Sequence, residues 1–263
     1  MTMLATPLEA EQPLYFGEDG ALFGLYQSAG APASRAVLLC PPLGQDQIRC
    51  HRLYRQLSHA LAAEGIAALR FDYYGCGDSA GASIEVDWQR CIADTCAAAA
   101  ELRLRSQARH LVAFGARLGG SIALAAALQA RFEELVLWDP VLDGDDHVGR
   151  LDALQAELRV DGGRFSAPRQ VADCAGQWCG FEISAGLRGQ LAALRPAPAP
   201  VPTLVLDSLA AAAPRAWQRL GIDATRVRQL PSPAGWDELG RLETAILSRP
   251  LIQAVIAHLR EPT

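Results

Sequence analysis

The chain contains no lysine, and all 24 of its basic residues are arginine. That absence removes Schiff-base chemistry, a lysine-bound pyridoxal cofactor and a phosphate-loop lysine together. Paired cysteine spacing is missing too: the seven cysteines, at 40, 50, 76, 91, 96, 174 and 179, form no CxxC. An odd count without such pairs argues against a disulfide framework and a zinc ribbon, so reduced thiols in a cytoplasmic compartment are expected, with no cofactor and no metal. Positive charge is scarce. A net charge of −5 gives no basic surface for phosphates, which disfavours nucleic acid and an anionic membrane as partners. No apolar run is long enough to span a bilayer without polar or glycine interruption, and residues 1–13 hold no apolar core of signal-peptide length.

What is present is half hydrophobic by count over 263 residues, enough to bury one large α/β core with an insertion. Residues 14–17 and 22–26 flank Glu18-Asp19-Gly20, and an Asp-Gly between two alternating apolar runs signals a hairpin. Short apolar runs at 36–40, 66–71, 110–114 and 134–138 then alternate with helical stretches at 49–64, 84–105 and 118–130. That rhythm predicts right-handed crossovers and a mostly parallel sheet of about eight strands, helices on both faces, once 203–206, 226–230 and a closing helix within 239–259 are added. Between 141 and 195 the rhythm breaks into polar, glycine-rich and short helical pieces, ending in the stiff proline-rich run 196–202. The expected division is core at 1–140, a small cap insertion at 141–200, and core again at 201–263.

Ligands in such sheets bind beyond the carboxyl ends of the strands, so the loops there carry the argument. Pro41-Pro42-Leu43-Gly44-Gln45-Asp46 follows the third strand, a turn-rich segment from Asp72 to Gly81 the fourth, Gly115-Ala116-Arg117-Leu118-Gly119-Gly120 the fifth, and Asp139-Pro140 the sixth. The GARLGG stretch has the frame of the sharp strand-to-helix bend that in GxSxG form exposes a nucleophilic serine. Read in order, PPLG, DYYGCGDSAG, GARLGG and LWDPVLDG resemble the α/β hydrolase superfamily and, within it, the exosortase-associated hydrolases found beside exopolysaccharide and protein-sorting genes. The resemblance implies an α/β hydrolase fold whose oxyanion-binding N–H groups come from Leu118 and from the loop holding Leu43 and Gly44.

The catalytic residues that the resemblance would imply do not carry over. Arg117 stands at the serine position, and a guanidinium has donors only, so it can neither attack a carbonyl nor hold an acyl group. Near the expected acid, after 203–206, only Asp207 is available, followed by an alanine run. Where the histidine would lie, Gly235-Trp236 occurs instead. Arg117 reads either as an anchor for an anion or carbonyl at a helix N-terminus, or as half of a buried ion pair with Asp46 or Asp139. Asp46 suits pairing, proton transfer or, more commonly for an aspartate before a helix, capping. Asp139 suits a displaced acid or a structural pair. Trp178, Phe181 and Trp236 suit an apolar pocket under the cap, or cap core. His51 and His147 fall nearest the mouth, though a lone histidine is more often a surface residue. Cys40 and Cys76 suit nucleophiles or core thiols.

Three functions stay open. The first is a hydrolytically inactive pseudo-hydrolase binding an anionic or carbonyl-bearing small molecule, or a partner protein, at Arg117. The second is a lyase, isomerase or acyl-transfer enzyme using Arg117 and backbone donors for electrostatic stabilisation. The third is a hydrolase with another nucleophile, such as Cys76.

Overall fold

A computed structural model describes residues 11–30, 34–195, 197–209, 218–231 and 234–260. Residues 1–10, Pro196 and the alanines at 210–213, which figure in the expectations above, lie outside the described residues.

The hairpin opens the chain: β1 (Gln12–Phe16) and β2 (Leu22–Gln27) pair antiparallel around a 3-10 turn at Glu18–Gly20. There follow β3 (Arg35–Cys40), α1 (Gln45–Ala63), β4 (Ala67–Phe71), α2 (Trp88–Ser106), β5 (His110–Ala116), α3 (Leu118–Ala126) and β6 (Glu134–Trp138). The cap then brings α4 (Gly144–Arg159), the short hairpin β7 (Gln177–Trp178) and β8 (Phe181–Glu182), and α5 (Ala185–Ala192). The chain returns through β9 (Thr203–Asp207) and β10 (Val227–Gln229) to a closing helix, α6 (Arg249–Arg260). The eight-stranded sheet has the order β1-β2-β4-β3-β5-β6-β9-β10, antiparallel at β1-β2 and β2-β4 and parallel elsewhere.

The apolar runs were readable as strands because a parallel strand is buried on both faces and need not alternate. In β3, Leu38 packs with Cys91, Ala98 and Leu102 of α2 and Ile122 of α3, while Val37 and Leu39 pack with Leu53, Leu57 and Leu61 of α1 and Leu251 and Val255 of α6. Helix α1 starts at Gln45 rather than at 49, and two further helix boundaries differ from the sequence reading for local reasons. Glu85 accepts the Ala82 N–H within a single 3-10 turn, and Asp87 then caps α2 by accepting the Arg90 N–H, so that helix starts at Trp88 rather than at 84. Helix α3 stops early, because Arg131 turns left-handed at φ 54° and the Phe132 N–H donates to the Ala127 carbonyl.

The β5–α3 junction depends on missing side chains. A Cβ on Gly119 would lie 2.4 Å from both the Cys40 and the Pro41 carbonyl oxygens, and one on Gly115 would lie 2.6 Å from the Gly119 backbone. These neighbours are backbone and cannot swing aside. Gly119→Ala is therefore expected to cost about 3 kcal/mol or more through overpacking. Gly149→Ala, on the exposed face of α4 with open space around the new methyl, should stabilise by about 0.5–1 kcal/mol. Urea denaturation of the two variants checks the opposite signs.

Candidate functional site

At the end of β5 the chain bends at Arg117, whose φ of 49° and ψ of −127° are rarely adopted by a residue with a side chain. The bend is held on both sides. The Arg117 N–H donates to the Trp138 carbonyl at 3.0 Å, and its own carbonyl accepts from Gly120 N at 3.0 Å and Ser121 N at 3.2 Å. One residue on, the Leu118 N–H opens α3 without a hydrogen-bond partner among the described residues, and so does the Leu43 N–H in the loop after β3.

The guanidinium of Arg117 is 5% exposed. Its Nη2 lies 3.1 Å from Asp237 Oδ1 and its Nε 3.6 Å from Asp46 Oδ2, and it stacks over the Trp236 ring at 5.5 Å. Of the two expected ion-pair partners, Asp46 is there and Asp139 is not. Asp139, 0% exposed, is fully engaged elsewhere: Oδ1 accepts from the Ser208 N–H at 2.7 Å, and Oδ2 accepts from Trp236 Nε1 at 2.7 Å and from the Ser208 hydroxyl. Burial raises the Asp139 carboxyl, and the Ser208 and Trp236 hydrogen bonds oppose that rise.

Between the strand ends and the cap lies a narrow cleft of about 60 Å³. Leu43, Gly44, Asp46, Leu118 and Trp236, five of the residues singled out in the sequence, line it, whereas Arg117 and Asp139 do not. The cap closes it with His147, Leu151 and Leu154 of α4, Trp178 and Phe181 of the hairpin, and Leu187 of α5. Charge is confined to one corner. There Asp237 also accepts from Arg150 Nη1 at 3.3 Å, and Arg150 Nη2 meets Asp146 at 2.8 Å, so the same carboxylate ties the elbow to α4. Burial raises Asp46 to about 6, with Arg117 and Arg49 pulling the other way and Asp237 adding to the rise. Burial, then Arg117 and Arg150, lowers His147 to about 3, which leaves its imidazole neutral.

The matches to known proteins agree with this architecture. Residues 36–164, just under half of the chain, match the family model of serine aminopeptidase, S33. The fold matches an α/β serine hydrolase without a lid from Xanthomonas campestris, at 18% identity and a TM-score of 0.57 over 98% of this chain and 100% of that one. This chain has the α/β hydrolase fold. Two further structures share the hydrolase fold: Est1E from Butyrivibrio proteoclasticus with ferulic acid bound (15% identity, TM-score 0.62, 94% of this chain and 97% of that one) and the bottromycin epimerase BotH in complex with bottromycin A2 (19%, 0.56, 96% and 100%). No curated protein matches the sequence significantly.

Set in the hydrolase fold, two residues passed over in the sequence, Asp237 and Arg49, and one placed there nearest the mouth, His147, prove central. Asp237 takes the charge of Arg117. Arg49, 2% exposed, donates to the Trp236 carbonyl at 2.8 Å and the Gly235 carbonyl at 2.9 Å and so fixes the loop that carries Asp237. His147, placed nearest the mouth but weighed against a surface role, is 4% exposed and lines the cleft. His51 lies in a separate depression with Asp72 and Gln47. Burial drives the Cys40 thiol far above its usual range, and burial with Asp72 and Asp94 raises Cys76 to about 12, so neither is a thiolate near neutral pH.

Removing the guanidinium leaves Asp46 and Asp237 facing each other with only Arg49, 3.7 Å from Asp46, and the half-exposed Arg150, 3.3 Å from Asp237, to offset their charge. Arg117→Met is therefore expected to cost about 2–4 kcal/mol at pH 8, the lower end because Asp237 keeps a quarter of its side chain in water. The folded state already binds the Asp46 proton more tightly than the unfolded chain does, so for this group stability falls as pH rises from about 4 through 6. Without Arg117 that preference strengthens, and the penalty at pH 5 should be clearly smaller than at pH 8. Urea denaturation at the two pH values measures it, and equal penalties would count against the ion-pair account.

Proposed function

We propose that this chain is a hydrolytically inactive member of the superfamily that binds an apolar, carbonyl-bearing small molecule in the cleft under the cap. The observation that carries the reading is the pair of residues at the reacting positions. Arg117 occupies the apex of the elbow with its charge spent on Asp46 and Asp237, and Trp236 supplies the hydrogen bond that Asp139 accepts. An indole N–H is a donor only, so Trp236 cannot take a proton from a nucleophile even if one stood at 117. The Leu43 and Leu118 amides remain as donors for a carbonyl oxygen. An anionic ligand, attractive while the guanidinium was pictured as free, loses its support, because two carboxylates already surround that charge. Seven free cysteines favour a reducing compartment such as the cytoplasm. The GARLGG elbow and the LWDP segment support membership of the exosortase-associated group.

A second reading has its own support. Asp46 lines the cleft with its carboxyl raised to about 6, a value suited to moving a proton near neutral pH. The fold neighbour BotH is an epimerase, so proton abstraction beside a carbonyl is the enzymatic alternative.

Under the first reading the wild-type protein is not labelled by a fluorophosphonate and does not turn over p-nitrophenyl butyrate, and labelling at any serine would defeat it. Arg117→Ser alone should stay unlabelled, because Trp236 still occupies the place of the base. The double variant Arg117→Ser/Trp236→His, with Asp139 already 2.7 Å from the Trp236 ring nitrogen, should gain labelling at position 117. Deuterium wash-in from D2O beside the carbonyl of a bound ketone, abolished by Asp46→Asn, would favour the enzymatic alternative.

A further inference from the structure

Helix α4 turns a single stripe toward the cleft, made of His147, Leu151 and Leu154 at helical spacing. The two leucines need only apolar company, but the histidine does not. A neutral imidazole carries one N–H donor and one lone-pair acceptor. In His147 both ring nitrogens are cut off from solvent, and neither has a hydrogen-bond partner among the described residues. Buried polar atoms are almost always satisfied, and one that is not points to a partner outside the chain. The charged groups around the ring do not supply one. Arg117 is ion-paired with Asp46 and Asp237, although its Nε makes no hydrogen bond among the described residues, Arg150 is paired with Asp146 and Asp237, and both arginines present only donors. On the opposite wall the free donors are the Leu43 and Leu118 amides.

We propose that His147 is the polar recognition residue of the cleft, donating a hydrogen bond to the carbonyl oxygen of an uncharged, otherwise apolar ligand: a ketone, ester or amide. The lining selects against charge at both ends of the scale. A carboxylate would have to sit beside Asp46 and Asp237, whose only nearby positive charges are already paired. An ammonium would lose its hydration among Leu151, Leu154, Leu187 and Trp178, a cost that one hydrogen bond to the His147 ring does not offset. The assignment rests on the cleft being a small-molecule site, as proposed above.

Three probes of nearly equal shape separate the possibilities: 4-phenylbutan-2-one, butylbenzene and 3-phenylpropanoate, titrated into the full chain and followed by the fluorescence of Trp178 and Trp236, which both line the cleft. The ketone is expected to bind roughly tenfold more tightly than the hydrocarbon, with the carboxylate weakest. His147→Phe should bring the ketone down to the hydrocarbon's affinity while leaving the hydrocarbon unchanged or improved, and His147→Gln, which keeps a donor, should restore part of the preference. Equal binding of ketone and hydrocarbon by the wild type, or a preference that survives His147→Phe, overturns the assignment of His147 and leaves the cleft a small-molecule site. Tightest binding by the carboxylate overturns the uncharged ligand class. Binding of none of the three by a protein that still melts cooperatively overturns the cleft reading and this inference together.

Discussion

A charged guanidinium at the apex of a tight bend must be neutralised, and most of the site follows from that requirement. The bend fixes the Arg117 backbone between Trp138 and the start of α3, and the glycines at 115 and 119 let the loop after β3 press against it. The head group then has little freedom and almost no water. A buried charge left unpaired would cost several kcal/mol, so the arginine is tolerable only with carboxylates brought to it. Asp46 comes from the first turn of α1 and Asp237 from the loop after β10. Because Asp237 also holds Arg150 of α4, and Arg49 holds the carbonyls of that same loop, elbow, loop and cap are joined through one set of charges.

In the inactive reading, the Asp139–Trp236 pair is a reacting geometry that persists without its chemistry. A carboxylate with no exposed surface needs donors, and Asp139 has three: the Ser208 N–H, the Ser208 hydroxyl and the indole N–H. A histidine N–H in that place would satisfy the same oxygen and could also accept a proton at its far nitrogen. An indole satisfies the oxygen and offers nothing further. It adds packing instead, since Trp236 stacks on Trp138 with centroids 4.7 Å apart and carries Arg117 over its face. Stability alone is enough to maintain this arrangement, which is consistent with the inactive reading.

The sequence exposed the frame of the site more readily than its electrostatics. Strand β6 was legible to the residue, at Glu134–Trp138, because five residues buried mostly on both faces leave an unbroken apolar run between polar neighbours. The elbow was legible because its glycines are required by backbone contacts that no other residue permits. The partners of Arg117 were not. Asp237 lies 120 positions away, and no local spacing marks two residues that meet only through the tertiary fold. His147 was placed near the mouth but not made a lining residue for a related reason: taken singly it resembles a surface histidine, and only its register with Leu151 and Leu154 sets it on the inner stripe of α4. The N-terminus of α2 was misplaced because Ser83–Glu85 forms one helical turn that Asp87 interrupts and restarts.

The two titratable groups that line the cleft and are moved furthest from their ordinary values are moved in opposite senses, and in each the shift is away from the charged form. Asp46, raised to about 6, binds its proton more tightly when folded, so its contribution to stability falls as pH rises between about 4 and 6. His147, lowered to about 3, binds its proton less tightly when folded, so its contribution rises with pH between about 3 and 6.5. Over the shared interval the slopes oppose each other. Both shifts have burial as their largest cause, and burial penalises whichever form is charged. The apolar wall that the cap adds to the strand ends therefore does more than shape the cleft. It pushes the acid and the imidazole alike toward their neutral forms, completely for His147 near neutral pH and for Asp46 only below about pH 6.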